Sequence, residues 1–209
     1  MKHIIDLVKN NLKNIEGWCS LEKAEKFIEV IYAIKPDLCV EIGVFGGSSF
    51  IPQALAIKEN GKGKIVGIDP WTNSSATEEM LNTINIEWWS KLDFNYIYNH
   101  LLQNLDKFLI KDICEIIRDK ADNVYEMFEE ESIDILHIDG NHSEMLAFKD
   151  AVLYLPKVKN NGYIFFDDIY WSEVDGQIST RKAINYLLQF CEKIEIVDDC
   201  LILKKTSFV

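Results

Sequence analysis

Two short apolar runs end abruptly in acidic residues: Leu136-His137-Ile138-Asp139-Gly140-Asn141-His142 and, further along, Tyr163-Ile164-Phe165-Phe166-Asp167-Asp168. Carboxylates are ligands for hard divalent cations such as Mg²⁺, and an imidazole suits proton transfer near neutral pH. If the two runs lie side by side, Asp139, His142, Asp167 and Asp168 meet in one crevice, a cation site with a general base beside it. A second constellation precedes them. In Val40-Glu41-Ile42-Gly43-Val44-Phe45-Gly46-Gly47-Ser48-Ser49, Gly43 and Gly47 let backbone approach a ligand closely, and the next helix offers free N–H groups. Glu41 stands two residues before the first glycine, where a carboxylate would repel a pyrophosphate but suit a ligand bearing an ammonium group. Asp69 ends the following apolar run and is placed to accept both hydroxyls of a ribose.

Those residues need a scaffold that delivers strand ends to one edge. An apolar run bounded by turn residues reads as a strand buried on both faces, as in a parallel sheet, and open α/β sheets bind ligands at their carboxyl edge. Strands are expected at 38–42, 64–68, 113–117, 133–138, 163–166, 193–197 and 201–204, with helices at 48–58, 123–130, 143–155 and 180–191. Alternation of this kind predicts right-handed crossovers and a doubly wound, mostly parallel, seven-stranded sheet. The last two strands are linked only by Asp198-Asp199-Cys200, which requires an antiparallel final strand.

Residues 1–36 read as two N-terminal helices, the second capped by Ser20. Residues 71–111 contain no convincing strand and are rich in Asn and aromatics, so a helical insertion covering the sheet edge as a lid is expected. Neither a domain boundary nor an internal repeat is visible, so residues 1–209 are expected to form one domain. Trp71, Trp88 and Trp89 read as packing residues of the insertion. His137 reads as a satisfied core histidine, and Asp198 and Asp199 read as ordinary turn residues.

Composition excludes several classes. The 209 residues are 48% hydrophobic and 27% charged, with a net charge of -12 and no basic stripe, so nucleic acid is a poor partner. The five cysteines show no C-x-x-C spacing, which supports neither a disulfide framework nor a thiolate zinc site. No signal-peptide or membrane-span pattern appears, and a cytoplasmic protein without membrane partners is expected. A homo-oligomer is compatible with the sequence.

The ordered set E-x-G-x-x-x-G-x-S, G-I-D-P-W, H-I-D-G-N-H and L-P-K-V-K-x-x-G-Y-I-x-F-D-D resembles class I S-adenosylmethionine-dependent methyltransferases with a Rossmann-like fold. Within them it is most similar to the small-molecule enzymes that include macrocin-type sugar O-methyltransferases. The resemblance spans Gly17 to Lys204. It implies that Gly43, Gly47 and Ser49 line the methionine moiety and that Glu41 shapes the loop through backbone contacts. It further implies that Asp69 binds ribose and that Asp119 and Ala121 flank adenine. Asp139 would border the cofactor and, with Asp167 and Asp168, hold Mg²⁺, while His142 takes the proton of a sugar or natural-product hydroxyl. Two other readings are compatible with a similar sheet. One is a nicotinamide-dependent oxidoreductase, against which the glycine spacing argues because G-x-G-x-x-G is absent. The other is a non-catalytic, cofactor-binding partner protein.

Overall fold

A computed structural model describes residues 1–174 and 176–206; residues 175 and 207–209 of the expected 1–209 domain lie outside the described residues. The chain opens with α1 (Lys2–Asn11) and α2 (Leu21–Ile34). The Ser20 hydroxyl caps α2 by accepting from Lys23 N at 3.0 Å, and Lys35 closes the helix in the left-handed conformation just before Pro36. The sheet and its crossovers follow: β1 (Leu38–Ile42), α3 (Phe50–Asn60), β2 (Lys64–Ile68), α4 (Asn73–Ala76), α5 (Thr83–Ser90), α6 (Phe94–Lys107), β3 (Cys114–Ile117), α7 (Ala121–Val124), β4 (Ile133–Ile138), α8 (Glu144–Tyr154) and β5 (Val158–Phe166). A small hairpin, β6 (Ser172–Val174) and β7 (Gln177–Ile178), precedes α9 (Arg181–Leu187), β8 (Cys191–Val197) and β9 (Cys200–Lys205).

The seven-stranded sheet has the order β3-β2-β1-β4-β5-β9-β8. The first five strands are mutually parallel, and β9 runs antiparallel to both β5 and β8, as the short final link requires. Alternation along the strands divides the core. Cys39, Ile135, Phe165 and Ile202 pack under α1, α2, α3 and α6, whereas Val40, Leu136, Ile164 and Leu203 pack under α7, α8 and α9. The register β1–β4–β5 sets Ile42, Ile138 and Phe166 abreast, so the acidic residues that follow Ile138 and Phe166 share one edge.

Four elements differ from the sequence reading. The strand expected at 163 begins at Val158, because Val158 pairs with Ile133 across a register shift. The helix expected over 123–130 is α7 and a 3₁₀ turn at Tyr125–Met127, since Phe128 turns extended and inserts its buried ring in the core. The helix expected to reach 191 stops at Leu187, because Cys191 pairs with Lys205 as the first residue of β8. The β6–β7 hairpin was not anticipated; its strands are too short for an alternation signal. Among the described residues, no helix is long and apolar enough to cross a membrane.

Candidate active site

The glycine turn after β1 and the loop after β4 are built on one another. Gly43 has φ +85°, and a Cβ there would lie 1.9 Å from the Asp139 carbonyl oxygen. Gly47, with φ +90°, faces the tip of the Leu101 side chain of α6 instead of backbone. Close packing against backbone therefore requires glycine at Gly43, and the left-handed conformation favours it at both positions. Asp69 ties the turn to β2: its Oδ2 accepts from Phe45 N at 2.9 Å and its Oδ1 from Trp71 N at 2.7 Å. Phe45 and Trp71 both carry positive φ, uncommon for bulky residues, and the Trp71 indole donates to the Phe45 carbonyl at 2.8 Å. Asp69 thus holds two of the residues with left-handed backbone through their N–H groups. Burial raises the Asp69 pKa to about 6, opposed by the backbone N–H groups it accepts.

Above this edge lies a cavity of about 680 Å³, within the range of small-molecule and cofactor sites. Gly43, Ser49, Asp69, Ala121, Asp139, His142, Asp167 and Asp168 all line it. Three expected residues sit elsewhere. Asp119 is exposed and accepts from Lys120 N and Asn123 Nδ2, both at 2.7 Å, at the start of α7. Gly47 packs against α6. Glu41 lies beneath the cavity, fully buried, and acts through side chains rather than backbone: it accepts from Ser49 Oγ at 2.8 Å and Gln53 Nε2 at 2.5 Å.

Glu41 also faces His137 Nδ1 at 3.2 Å, and His137 Nε2 lies 3.2 Å from Asp167 Oδ2. The core histidine expected here is thus buried between two carboxylates. Its burial disfavours the charged ring, yet Glu41 and Asp167 outweigh that effect and raise its pKa to about 10. Asp167 Oδ2 accepts in addition from Lys23 Nζ at 2.6 Å. Burial would raise the Asp167 pKa, but His137 and Lys23 hold the carboxyl well below the usual range. Lys23, on the first turn of α2, carries no signal in the sequence; the ion pair arises from the placement of α2 near the end of β5. Asp198 and Asp199 tie the β8–β9 hairpin to the same helix: the Ser20 hydroxyl donates to Asp198, and Asp199 lies 3.7 Å from Lys23.

The expected set of Asp139, Asp167 and Asp168 is divided. Asp139 lies within 4.8 Å of His137 and Asp167 on one side, and within 4.8 Å of His142 and Asp168 on the other. His142 Nε2 stands 2.8 Å from Asp168 Oδ2. Burial lowers the His142 pKa, but the Asp168 carboxylate prevails and raises it to about 9, so the near-neutral imidazole expected from sequence is an imidazolium. Burial, with the neighbouring Asp167 charge, pushes the Asp139 carboxyl well above its ordinary value.

The 71–111 segment forms α4, α5 and α6 and is clasped to the site twice. Asn141 Nδ2 donates to the carbonyls of Ser75, Ala76 and Glu78, the last at 2.9 Å. Buried Glu173, on the unanticipated hairpin, accepts from Leu81 N at 3.0 Å, Asn82 N at 2.8 Å and the Trp171 indole at 2.6 Å. Trp88 and Trp89 pack on each other with centroids 5.0 Å apart, yet they also line the cavity beside Trp18, which is 64% exposed. Each lysine lining the cavity is ion-paired: Lys23 with Asp167, Lys120 with Glu78 and Lys149 with Asp122.

Comparison with known proteins agrees with this architecture. A protein from Acanthamoeba polyphaga mimivirus described as uncharacterized is 32% identical over 136 residues, covering 64% of this chain and 52% of its own; the chain spans about half the length of this curated relative. The fold is similar to that of the Streptomyces achromogenes O-methyltransferase TomG, involved in tomaymycin synthesis and solved with S-adenosylmethionine (TM-score 0.66, 12% identity, 98% of this chain and 90% of that one). It is also similar to the Podospora anserina methyltransferase PaMTH1 bound to S-adenosylhomocysteine (TM-score 0.68, 12% identity, 98% and 88%). A third is a Bacillus cereus O-methyltransferase in complex with the same product (TM-score 0.65, 13% identity, 98% and 91%). A family model described as a methyltransferase domain matches residues 40–169, the stretch that carries the glycine turn, Asp69 and both acidic strand ends. With that match in place of a nicotinamide fingerprint, the chain belongs to this methyltransferase-domain family, and its fold is that of the O-methyltransferases solved with S-adenosylmethionine or its product.

Proposed function

We propose that the protein methylates a hydroxyl oxygen of a small-molecule acceptor, a sugar or another natural product, with His142 as the general base. The observation that carries this reading is the Asp139–His142–Asp168 group, which lies in the same cavity as Asp69 and the Gly43 turn. The structural neighbours named as O-methyltransferases point the same way.

The cavity residues fit S-adenosylmethionine. Asp69 accepts backbone N–H groups on both oxygens and lines the cavity, where its carboxylate has acceptor capacity left for ribose hydroxyls. Ala121 supplies apolar surface at the adenine end, with Asp119 shaping that turn from outside. Gly43 and Ser49 flank the methionine end, and Glu41 holds Ser49 from below. When bound, the sulfonium supplies an electrophilic methyl group for in-line displacement, so the chain's main task is alignment.

His142 must be neutral to accept a proton. Its Nε2 faces Asp168, and positive charge from a bound sulfonium would disfavour the imidazolium and free that nitrogen. The donor set also fits a divalent cation: Asp139 and Asp168 offer the one or two carboxylates that Mg²⁺ commonly takes. Such an ion, held there, would lower the pKa of an acceptor hydroxyl and so complement the base. The 71–111 insertion, with Trp88, Trp89 and Phe94 facing the cavity, forms the lid and the apolar wall of the acceptor pocket.

Methyl-labelled S-adenosylmethionine incubated with pools of glycans and phenolic natural products tests the reading. The expected product carries its label on oxygen, by NMR, and excess chelator slows its formation. His142→Ala should abolish turnover while leaving cofactor affinity nearly intact. Transfer to nitrogen, sulfur or carbon, or full activity of His142→Ala, would contradict it.

A further inference from the structure

Lys23 gives the acidic edge a cation of its own. Its side chain is 7% exposed and that of Asp167 is 1% exposed, with Nζ 2.6 Å from Oδ2. The same Oδ2 faces His137 Nε2 at 3.2 Å, and Oδ1 faces Asp168 N at 3.3 Å. Both oxygens of Asp167 are therefore engaged inside the protein. A divalent ion bridging to Asp167 would have to displace a buried ammonium, leaving it without its partner. Asp168 is differently placed: its side chain is 26% exposed, and among the described residues its ion-pair partner is His142, at 2.8 Å.

We propose that Lys23 is the resident cation of Asp167, a positioning residue that withholds this carboxylate from divalent metal and confines any such ion to Asp139 and Asp168. The inference rests on the cavity being the methyl-transfer site described above, and it specifies which of three adjacent carboxylates face a cation there. Lys23 and His137 hold the innermost one from within the core, and the outer two line the cavity.

Affinity for hard cations follows the number of charged ligands, so the binding of Mn²⁺, used as an Mg²⁺ substitute, reads the arrangement directly. Free Mn²⁺ is measured by electron paramagnetic resonance during titration of the 209-residue chain, without cofactor, in wild type, Lys23→Met, Lys23→Arg and Asp167→Asn. Lys23→Met is expected to bind roughly tenfold tighter or better, by releasing a third carboxylate and removing a positive charge, and Lys23→Arg to match wild type. Asp167→Asn is expected to stay within about twofold of wild type. A loss of about tenfold in Asp167→Asn, or a folded Lys23→Met that binds no tighter than wild type, overturns the proposal. So does absence of Mn²⁺ binding in both wild type and Lys23→Met. If circular dichroism shows that Lys23→Met does not fold, Asp167→Asn decides alone. S-adenosylmethionine affinity measured on the same samples separates the two readings: wild type that binds no cofactor fails as a methyltransferase whatever its Mn²⁺ behaviour.

Discussion

His142 Nε2 lies 2.8 Å from Asp168 Oδ2, an ion pair at the rim of the cavity that fixes both the orientation of the base and its protonation state. With its pKa raised to about 9, His142 holds a proton at neutral pH in the free protein. The pH profile of kcat/KM, which reports the free enzyme, should therefore rise with pH through an inflection near 9. In Asp168→Asn the inflection should move down, because the carboxylate that holds it up is gone. An inflection unmoved by Asp168→Asn would assign the titration to another group.

The same pair has a stability signature of definite sign. A histidine whose folded pKa exceeds its unfolded value of 6.5 contributes stability in full below 6.5, and the contribution fades as pH rises through about 9. His137, with its pKa raised to about 10, adds a component that extends higher. Melting temperature should fall across this window in wild type, and His142→Gln should flatten its lower part. A wild-type melting temperature that climbs from neutral pH to about 9 would contradict the charge assignment.

Gly43→Ala should be severe. Left-handed strain costs about 1–3 kcal/mol, and the displaced Asp139 carbonyl adds a packing penalty of similar size. Urea denaturation should show a loss of roughly 2–6 kcal/mol or no folded protein. Gly61→Ala is the control, since its left-handed φ is similar but nothing lies within 4 Å of the added carbon; its loss should be the strain alone. Equal costs at both positions would remove the close approach as the cause.

The lid role of the insertion predicts selective ordering. Hydrogen exchange should slow over α5 and the Trp88-Trp89 pair when S-adenosylhomocysteine binds. The turns held by Asn141 and Glu173 should already be protected without it, because those backbone groups are hydrogen-bonded to the body of the fold. Equal protection of α5 in both states would make the segment a rigid cap.

Much of this architecture is legible in residue order. Buried strands such as Ile133–Ile138 announce themselves as apolar runs, and the acidic residues that stop them mark the functional edge. The short Asp198-Asp199 link dictates the antiparallel final strand. Partnerships across the fold are not legible in that way. Glu41 and His137 are neighbours in the β1–β4 register, so a ligand-facing carboxylate and a core histidine become one buried charge network only once the strands pair. Lys23 looks like any helix lysine until α2 lies over the end of β5. Glu173 belongs to strands too short to show a period, and its buried clasp on Leu81 and Asn82 joins segments far apart in sequence.

Calorimetric titration of S-adenosylmethionine into wild type and Asp69→Ala tests the central claim most directly. Wild type should bind one equivalent. Asp69→Ala should lose about 1.5–3 kcal/mol, the range for hydrogen bonds to a charged group, which is roughly a ten- to hundredfold weaker constant. Because burial places the Asp69 pKa at about 6, wild-type affinity should also decline as pH falls below that value and the carboxylate takes up a proton. No binding by wild type, or an affinity unchanged by Asp69→Ala, would contradict the placement of the cofactor on which the account is built.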